Sequence, residues 1–232
     1  LIDTAEMYGE GGAEEVIAEA LGHRRSEAFL VSKVYPHNAS RSGAIAACER
    51  SLKRLKTDYL DLYLLHWRGS IPLAETLEAF QTLQQAGKIR SYGVSNFDAE
   101  DMAEAARLKG GEAITLDQVL YNLSRRGVEW DLLPWCQQQH MPIMAYSPIE
   151  QGRLLNNRAL KQIARSREVT IAQIAIAWLL HQDGVIAIPK SSRVEHIEQN
   201  YAALNLTLSA EELATLDAAF PAPTRPTSLE ML

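Results

Sequence analysis

The chain has 232 residues, 47% of them hydrophobic, with 23 Lys and Arg against 29 Asp and Glu and a formal charge of −6. That apolar content builds a sizeable core, while a negative balance with scattered cations excludes a general affinity for nucleic acid. The longest apolar run, Ile174 to Leu180, is far short of the ~20 residues needed to cross a bilayer, so no membrane partner is expected.

Short apolar runs alternate with helical patterns along the whole chain. Leu1-Ile2 precedes the helical "GGAEEVIAEAL", "AFLVSKV" precedes "SGAIAACERSLKRLK", and "YLDLYLLHW" precedes "LAETLEAFQTLQQAG". "IRSYGVSN" then leads to "AEDMAEAARLK", "AITLDQVLYN" to "EWDLLPWCQQQ", "PIMAYSP" to two helical stretches ending in "AQIAIAWLLHQ", and "VIAIPK" to "RVEHIEQNYAAL". The helical segments repeat apolar residues at i, i+3 and i+4, as in Ile45, Cys48, Leu52 and Leu55, whereas several strands are apolar almost throughout. Strands buried on both faces in such a series form a parallel sheet. Asp98 is placed to cap a helix, and Ser192-Arg193-Val194-Glu195 and Ser209-Ala210-Glu211-Glu212 both fit the S-x-x-E capping box. "PAPTRP" reads as an ordered or trailing tail.

Polar residues stand at or just past the strand ends: Asp3, Lys33, His66, Ser95-Asn96, Tyr121-Asn122, Tyr146-Ser147 and Pro189-Lys190. A (β/α)8 barrel gathers such ends in one mouth, whereas an open doubly wound sheet spreads them out, and no GxGxxG is present to favour the latter. The expected fold is therefore an α/β (β/α)8 TIM barrel, a single domain over residues 1–232. Since only seven strands can be counted and the first is short, one βα unit of roughly 30 to 45 residues is expected to precede Leu1. No basic-plus-apolar leader opens the chain; the expectation is a cytoplasmic monomer. Cys48 and Cys136 lack metal-ligand spacing and read as reduced, packed thiols, with no metal site.

Asp3, Tyr8, Lys33 and His66 lie on the first three strand ends or just after one of them. Such a set can protonate a carbonyl oxygen. A phenol beside an ammonium becomes a better acid, a carboxylate holds the ammonium in place, and an imidazole can orient the substrate oxygen. Any one of the four alone is more often a cap, a core aromatic, a solvated cation or a packed histidine.

"LIDTAEMYG", "LVSKV", "LDLYLLHW", "GVSNF" and "IPKS", in this order, resemble the aldo-keto reductases, and the likeness covers essentially the whole chain. The bacterial methylglyoxal-reducing members are the most similar in phrasing, sharing "DLLPWCQQQ" and a segment that here reads "DQVLYN". The resemblance implies a (β/α)8 barrel and NADPH-dependent reduction of a small aldehyde or ketone, with Asp3, Tyr8, Lys33 and His66 as the catalytic tetrad and Tyr8 as general acid. It further implies that Ser95, Asn96 and Gln118 bind the nicotinamide amide and that Tyr146 stacks on its ring. Ser147, Pro148, Gln151, Gly152 and Leu154 match the loop over the pyrophosphate. Lys190, Ser191 and Ser192 match a phosphate-binding turn, His196 stands where many members grip the 2′-phosphate, and Asn200 also matches a cofactor-binding position, with Ser192 open to capping as well as phosphate binding.

Three departures stand out. His196 replaces a common arginine, which weakens the preference for NADPH, leaves NADH possible and shifts the load to Lys190 and Arg193. The loop after "SPIEQGRLL" is short, and the Gly-Thr-Trp-like first-strand segment is absent. Trp67 is expected to line the substrate pocket, with Trp130 at the rim or packing a helix. Competing readings are a cofactor-sensing or partner-binding barrel with little turnover, and a Schiff-base lyase using Lys33.

Overall fold

The computed structural model describes residues 1–232 and contains two compact units, Leu1–Asp117 and Gln118–Leu232. Seven strands form one sheet in sequence order.

The first unit holds β1 (Ile2–Asp3), α1 (Gly12–Leu21), β2 (Leu30–Val34), α2 (Arg41–Leu55), β3 (Leu60–Leu65), α3 (Leu73–Gln85), β4 (Ile89–Ser95) and α4 (Ala99–Ala105), and it ends within β5 (Ile114–Leu120). β1 to β4 pair in parallel, with Asp3 opposite Val31, Lys33 opposite Leu64 and Leu65 opposite Val94. Every residue of β2 and β3 is buried, the polar Ser32, Lys33 and Asp61 among mostly apolar neighbours. α2 starts where Ser40 Oγ accepts the Gly43 amide at 3.2 Å, ends at left-handed Lys56, and buries Ala44, Ala47, Cys48, Ser51, Leu52 and Leu55. On α3, Phe80 packs against Tyr63 and Tyr92 at ring separations of 5.4 and 5.5 Å, and burying each such side chain contributes roughly 1.5–3 kcal/mol. A Cβ on Gly93 would lie 2.5 Å from the Leu116 carbonyl oxygen, so only glycine lets this backbone pass.

The second unit continues β5 into α5 (Leu132–Gln138), β6 (Ile143–Tyr146), α6 (Arg158–Ser166), α7 (Ile171–Leu180), β7 (Val185–Ile188), α8 (Val194–Ala202) and α9 (Ala210–Ala219). β6 and β7 are parallel, with Tyr146 opposite Ile188. α7 is buried nearly all round. Its Trp178 meets the Tyr121 ring at 5.6 Å and the Arg126 guanidinium at 5.1 Å. Unlike the inner strands, β7 is only half-buried; it is an outer strand of the sheet order, as is β1.

Capping follows the sequence in two of three cases. Asp98 and Asp101 close a box at the start of α4, and Ser209 and Glu212 do so at α9. Ser192 does not cap α8. Arg193 is the N-cap, without a side-chain bond, because the Ser191 hydroxyl takes the Arg193 amide at 3.0 Å and occupies the turn one residue earlier. Cys48 and Cys136 are separate buried thiols, and burial pushes the Cys48 thiol up to about 12. No helix is long and apolar enough to cross a membrane.

Candidate active site

The first unit brings Asp3, Tyr8, Lys33 and His66 together. Parallel pairing sets Asp3 at the end of β1 beside β2, whose Lys33 side chain is wholly buried. Lys33 Nζ donates to Asp3 Oδ2 at 2.6 Å, to the Thr4 carbonyl at 2.8 Å and, at the longer distance of 3.5 Å, to the Tyr8 hydroxyl. Tyr8 opens a 3-10 turn, Tyr8–Gly11, in which Gly9, Glu10 and Gly11 all take positive φ. That tight reversal turns the phenol back toward the strand ends. At Gly11, where φ is 94°, a Cβ would in addition press into the Arg54 side chain at 2.6 Å.

His66 follows β3, anchored by its own amide donating to the Val34 carbonyl at 3.0 Å. Its ring lies edge-on to Tyr8 at 5.6 Å and touches Trp67 at 4.9 Å. Trp67 in turn meets Tyr35 at 5.1 Å. Trp130 is 45% exposed.

Burial and the Lys33 charge push the His66 pKa down to about 3, so the imidazole is neutral at physiological pH. Its buried Nδ1 has no hydrogen-bond partner. Burial also lowers the Lys33 pKa, and attraction to Asp3 opposes that shift. The product is a dry ammonium clamped by a carboxylate, 3.5 Å from the hydroxyl of a tyrosine that is itself partly exposed.

Two carboxylates that support this arrangement were not singled out in the sequence. Glu6 Oε1 accepts the Tyr35 amide at 2.8 Å and Asn38 Nδ2 at 3.0 Å, which fixes the turn after β2. Glu14, fully buried on α1, accepts Ser32 Oγ and Arg54 Nε, each at 2.6 Å. For Glu14 the only signal was an acid in a helix's first turn, which ordinarily reads as a solvated cap.

Ser95 ends β4, and Asn96 follows with φ of 60°. Asn96 Nδ2 donates to the His66 carbonyl and to Ser95 Oγ, both at 3.1 Å, joining these two residues to the tetrad.

In the second unit, Gln118 Nε2 lies 2.9 Å from Met144 Sδ, and Tyr146 closes β6. The loop that follows is unusual. Ser147, Glu150 and Gln151 have φ of 51°, 47° and 52°, and Gly152 has 88°. A non-glycine residue held there costs of order 1–3 kcal/mol. Pro148 and Leu154 are buried while Gln151 is exposed. Further on, Lys190, Ser191, His196 and Asn200 line a cavity of about 610 Å³. Ser192 is exposed and does not line it. Arg193 does not line it either, being paired with Glu195 at 2.8 Å. The cations that do join Lys190 there are Lys161 and Arg165 of α6, which the sequence reading missed because they sit on a helix rather than at a strand end.

The aldo/keto reductase family model matches residues 1–220. The Escherichia coli methylglyoxal reductase YeaE is 54% identical over the whole of this chain and 84% of its own length. Bacillus subtilis glyoxal reductase is 39% identical over 94% of this chain and 77% of its own. A crystal structure of an aldo-keto reductase from Klebsiella pneumoniae in complex with NADPH superimposes with a TM-score of 0.98 at 52% identity, covering all of this chain and 83% of the other.

Proposed function

Because the chain belongs to the aldo/keto reductase family, we propose that it reduces small aldehydes such as methylglyoxal, with Tyr8 delivering the proton. Its fold is the (β/α)8 barrel of that family, and it is an NADP-dependent oxidoreductase acting on carbonyl compounds. The observation that carries the proposed residue roles is the contact chain Asp3–Lys33–Tyr8.

The donor set fits a phosphorylated dinucleotide. Lys161, Arg165, Lys190 and the Ser191 hydroxyl around one cavity suit a phosphate monoester, and they offset the single neutral donor that His196 supplies in place of an arginine. When bound, NADPH supplies the hydride. The protein's own residues do the rest. Neutral His66 offers a ring nitrogen to the substrate oxygen without competing as an acid. The Lys33 ammonium stabilises negative charge on the Tyr8 oxygen as its proton leaves, and Asp3 prevents the ammonium from turning away. In this reading Ser95, Asn96 and Gln118 hold the nicotinamide amide, Tyr146 shields one ring face, and loop 147–154 covers the diphosphate. Trp67 excludes water beside His66. All four proton-handling groups come from one chain, and the reading takes a cytoplasmic monomer as the working form.

Methylglyoxal-dependent loss of NADPH absorbance, run in parallel with NADH, tests the assignment. Turnover with NADPH faster than with NADH supports it. Tight NADPH binding with negligible reduction of methylglyoxal, glyoxal and simple aldehydes overturns it.

A further inference from the structure

The loop after β6 is held by side chains from outside it as well as by its own 3-10 turns. Three of its residues, Ser147, Glu150 and Gln151, occupy left-handed backbone without being glycine, and its first turns are closed by Glu150 N donating to Ser147 O and Gly152 N to Ile149 O, both at 2.9 Å. What fixes it is the Glu150 carboxylate, 3% exposed and ringed by donors. Oε1 accepts Arg125 Nη2 at 2.9 Å, Arg125 Nε at 3.1 Å and Arg153 Nη1 at 3.0 Å, while Oε2 accepts Asn122 Nδ2 at 2.8 Å. Asn122 Nδ2 also donates to the Ser147 carbonyl at 2.9 Å, so the carboxylate and the first residue of the loop share one amide. Burial raises the Glu150 pKa, but the bonds from Arg125 and Asn122 outweigh it and hold the group below the ordinary carboxylate range.

Arg125 has a second partner. Its Nη1 pairs with Glu230, in the segment 221–232 that follows α9. That segment is seated against the same β5 loop: Thr227 Oγ1 lies 2.6 Å from where a Gly127 Cβ would be, and Arg126 Nη1 donates to the Phe220 carbonyl at 2.6 Å. Arg125 and Arg153 are thus balanced by Glu150 and Glu230, and Arg153 is 61% exposed beside Gln151, to which it donates at 3.2 Å.

We propose that Glu150 is the positioning residue of the cofactor loop, and that through Arg125 and Glu230 the segment 221–232 acts as a strap that sets how tightly loop 147–156 holds the dinucleotide diphosphate. The inference rests on the reading of that loop as the diphosphate cover. With only 3% of its surface exposed, Glu150 acts through its neighbours rather than by presenting its carboxylate to a ligand. It acts by keeping the left-handed turn formed and Arg153 aimed outward. Loss of Glu230 frees Arg125 on one side and loosens the same turn from outside.

The test combines NADPH release, followed by stopped-flow fluorescence, with amide hydrogen exchange of residues 147–156. In the unaltered protein NADPH slows exchange in the loop. Glu150→Gln accelerates both exchange there and NADPH release by about tenfold and raises KM for NADPH more than it lowers kcat, with unchanged far-UV circular dichroism. Glu230→Gln, at an exposed position that does not endanger folding, moves release in the same direction by about two- to fivefold. If NADPH protects the loop but neither variant changes release, the positioning role is overturned while the loop reading stands. If NADPH leaves loop exchange untouched in the unaltered protein, the loop reading fails and the inference falls with it.

Discussion

Lys33 Nζ sits 2.6 Å from Asp3 Oδ2 with the lysine side chain entirely out of water. A buried ion pair adds little net stability against an apolar pair, but breaking it by removing one partner is costly. The proposed role of the pair is therefore to place an ammonium next to Tyr8.

Asp3→Asn leaves that ammonium with the Thr4 carbonyl and a long contact to Tyr8. The expected loss is about 3 kcal/mol in urea unfolding, together with a fall in turnover. A variant as stable as the parent contradicts the pairing.

His66 gives the protein an acid-sensitive margin. Its folded pKa of about 3 lies below the ordinary 6.5, so the unfolded chain takes up a proton first as pH falls. The stability it contributes is present above pH ~6.5 and declines from there down to its folded value, with about 2 kcal/mol lost at pH ~5. Urea titrations at pH 7 and 5 of the parent and of His66→Gln check this; the variant should lack that part of the slope.

Asp117 presents the opposite case. It is completely buried on β5 and neither carboxylate oxygen has a hydrogen-bond partner of ordinary geometry. Burial drives its pKa well above the usual range; the nearby Phe97 amide pulls it back only in part, and the charges of Asp101 and Asp98 push it further up. The stability this protonated acid provides is full below the normal carboxylate pKa and is lost as pH rises through the folded value. Asp117→Asn should therefore stabilise the protein at neutral pH by roughly 1–3 kcal/mol, read as a higher Tm, with less gain at pH ~4.

Lys161 and Arg165 are predicted to recognise the 2′-phosphate with Lys190. The double variant Lys161→Gln, Arg165→Gln should raise KM for NADPH about tenfold, equivalent to about 1.4 kcal/mol, and leave KM for NADH unchanged. Equal effects on both cofactors would contradict a phosphate-specific role.

The division between what was legible in the sequence and what was not follows physical lines. Asp3, Lys33 and His66 could be placed because strand periodicity and the ends of apolar runs locate side chains at one edge of a parallel sheet. The left-handed turn at Ser147, Glu150 and Gln151 could not, since these residue types carry no signal for such φ and donors distant in the chain help to hold it. Those donors, Asn122, Arg125 and Arg153, are ordinary polar residues until the chain is folded. Ser192 misled for a related reason: two adjacent serines competed for one turn, and Ser191 took it. The segment after α9 showed no periodicity, yet Thr227 and Glu230 make specific contacts.

The most direct test of the central claim is Tyr8→Phe. The ring, and with it the edge contact to His66, is kept while the one oxygen facing Lys33 is removed. Methylglyoxal-dependent oxidation of NADPH should fall by about 10²- to 10⁴-fold, with NADPH affinity, read by fluorescence quenching, unchanged. Turnover near that of the unaltered protein would show that the proton comes from elsewhere.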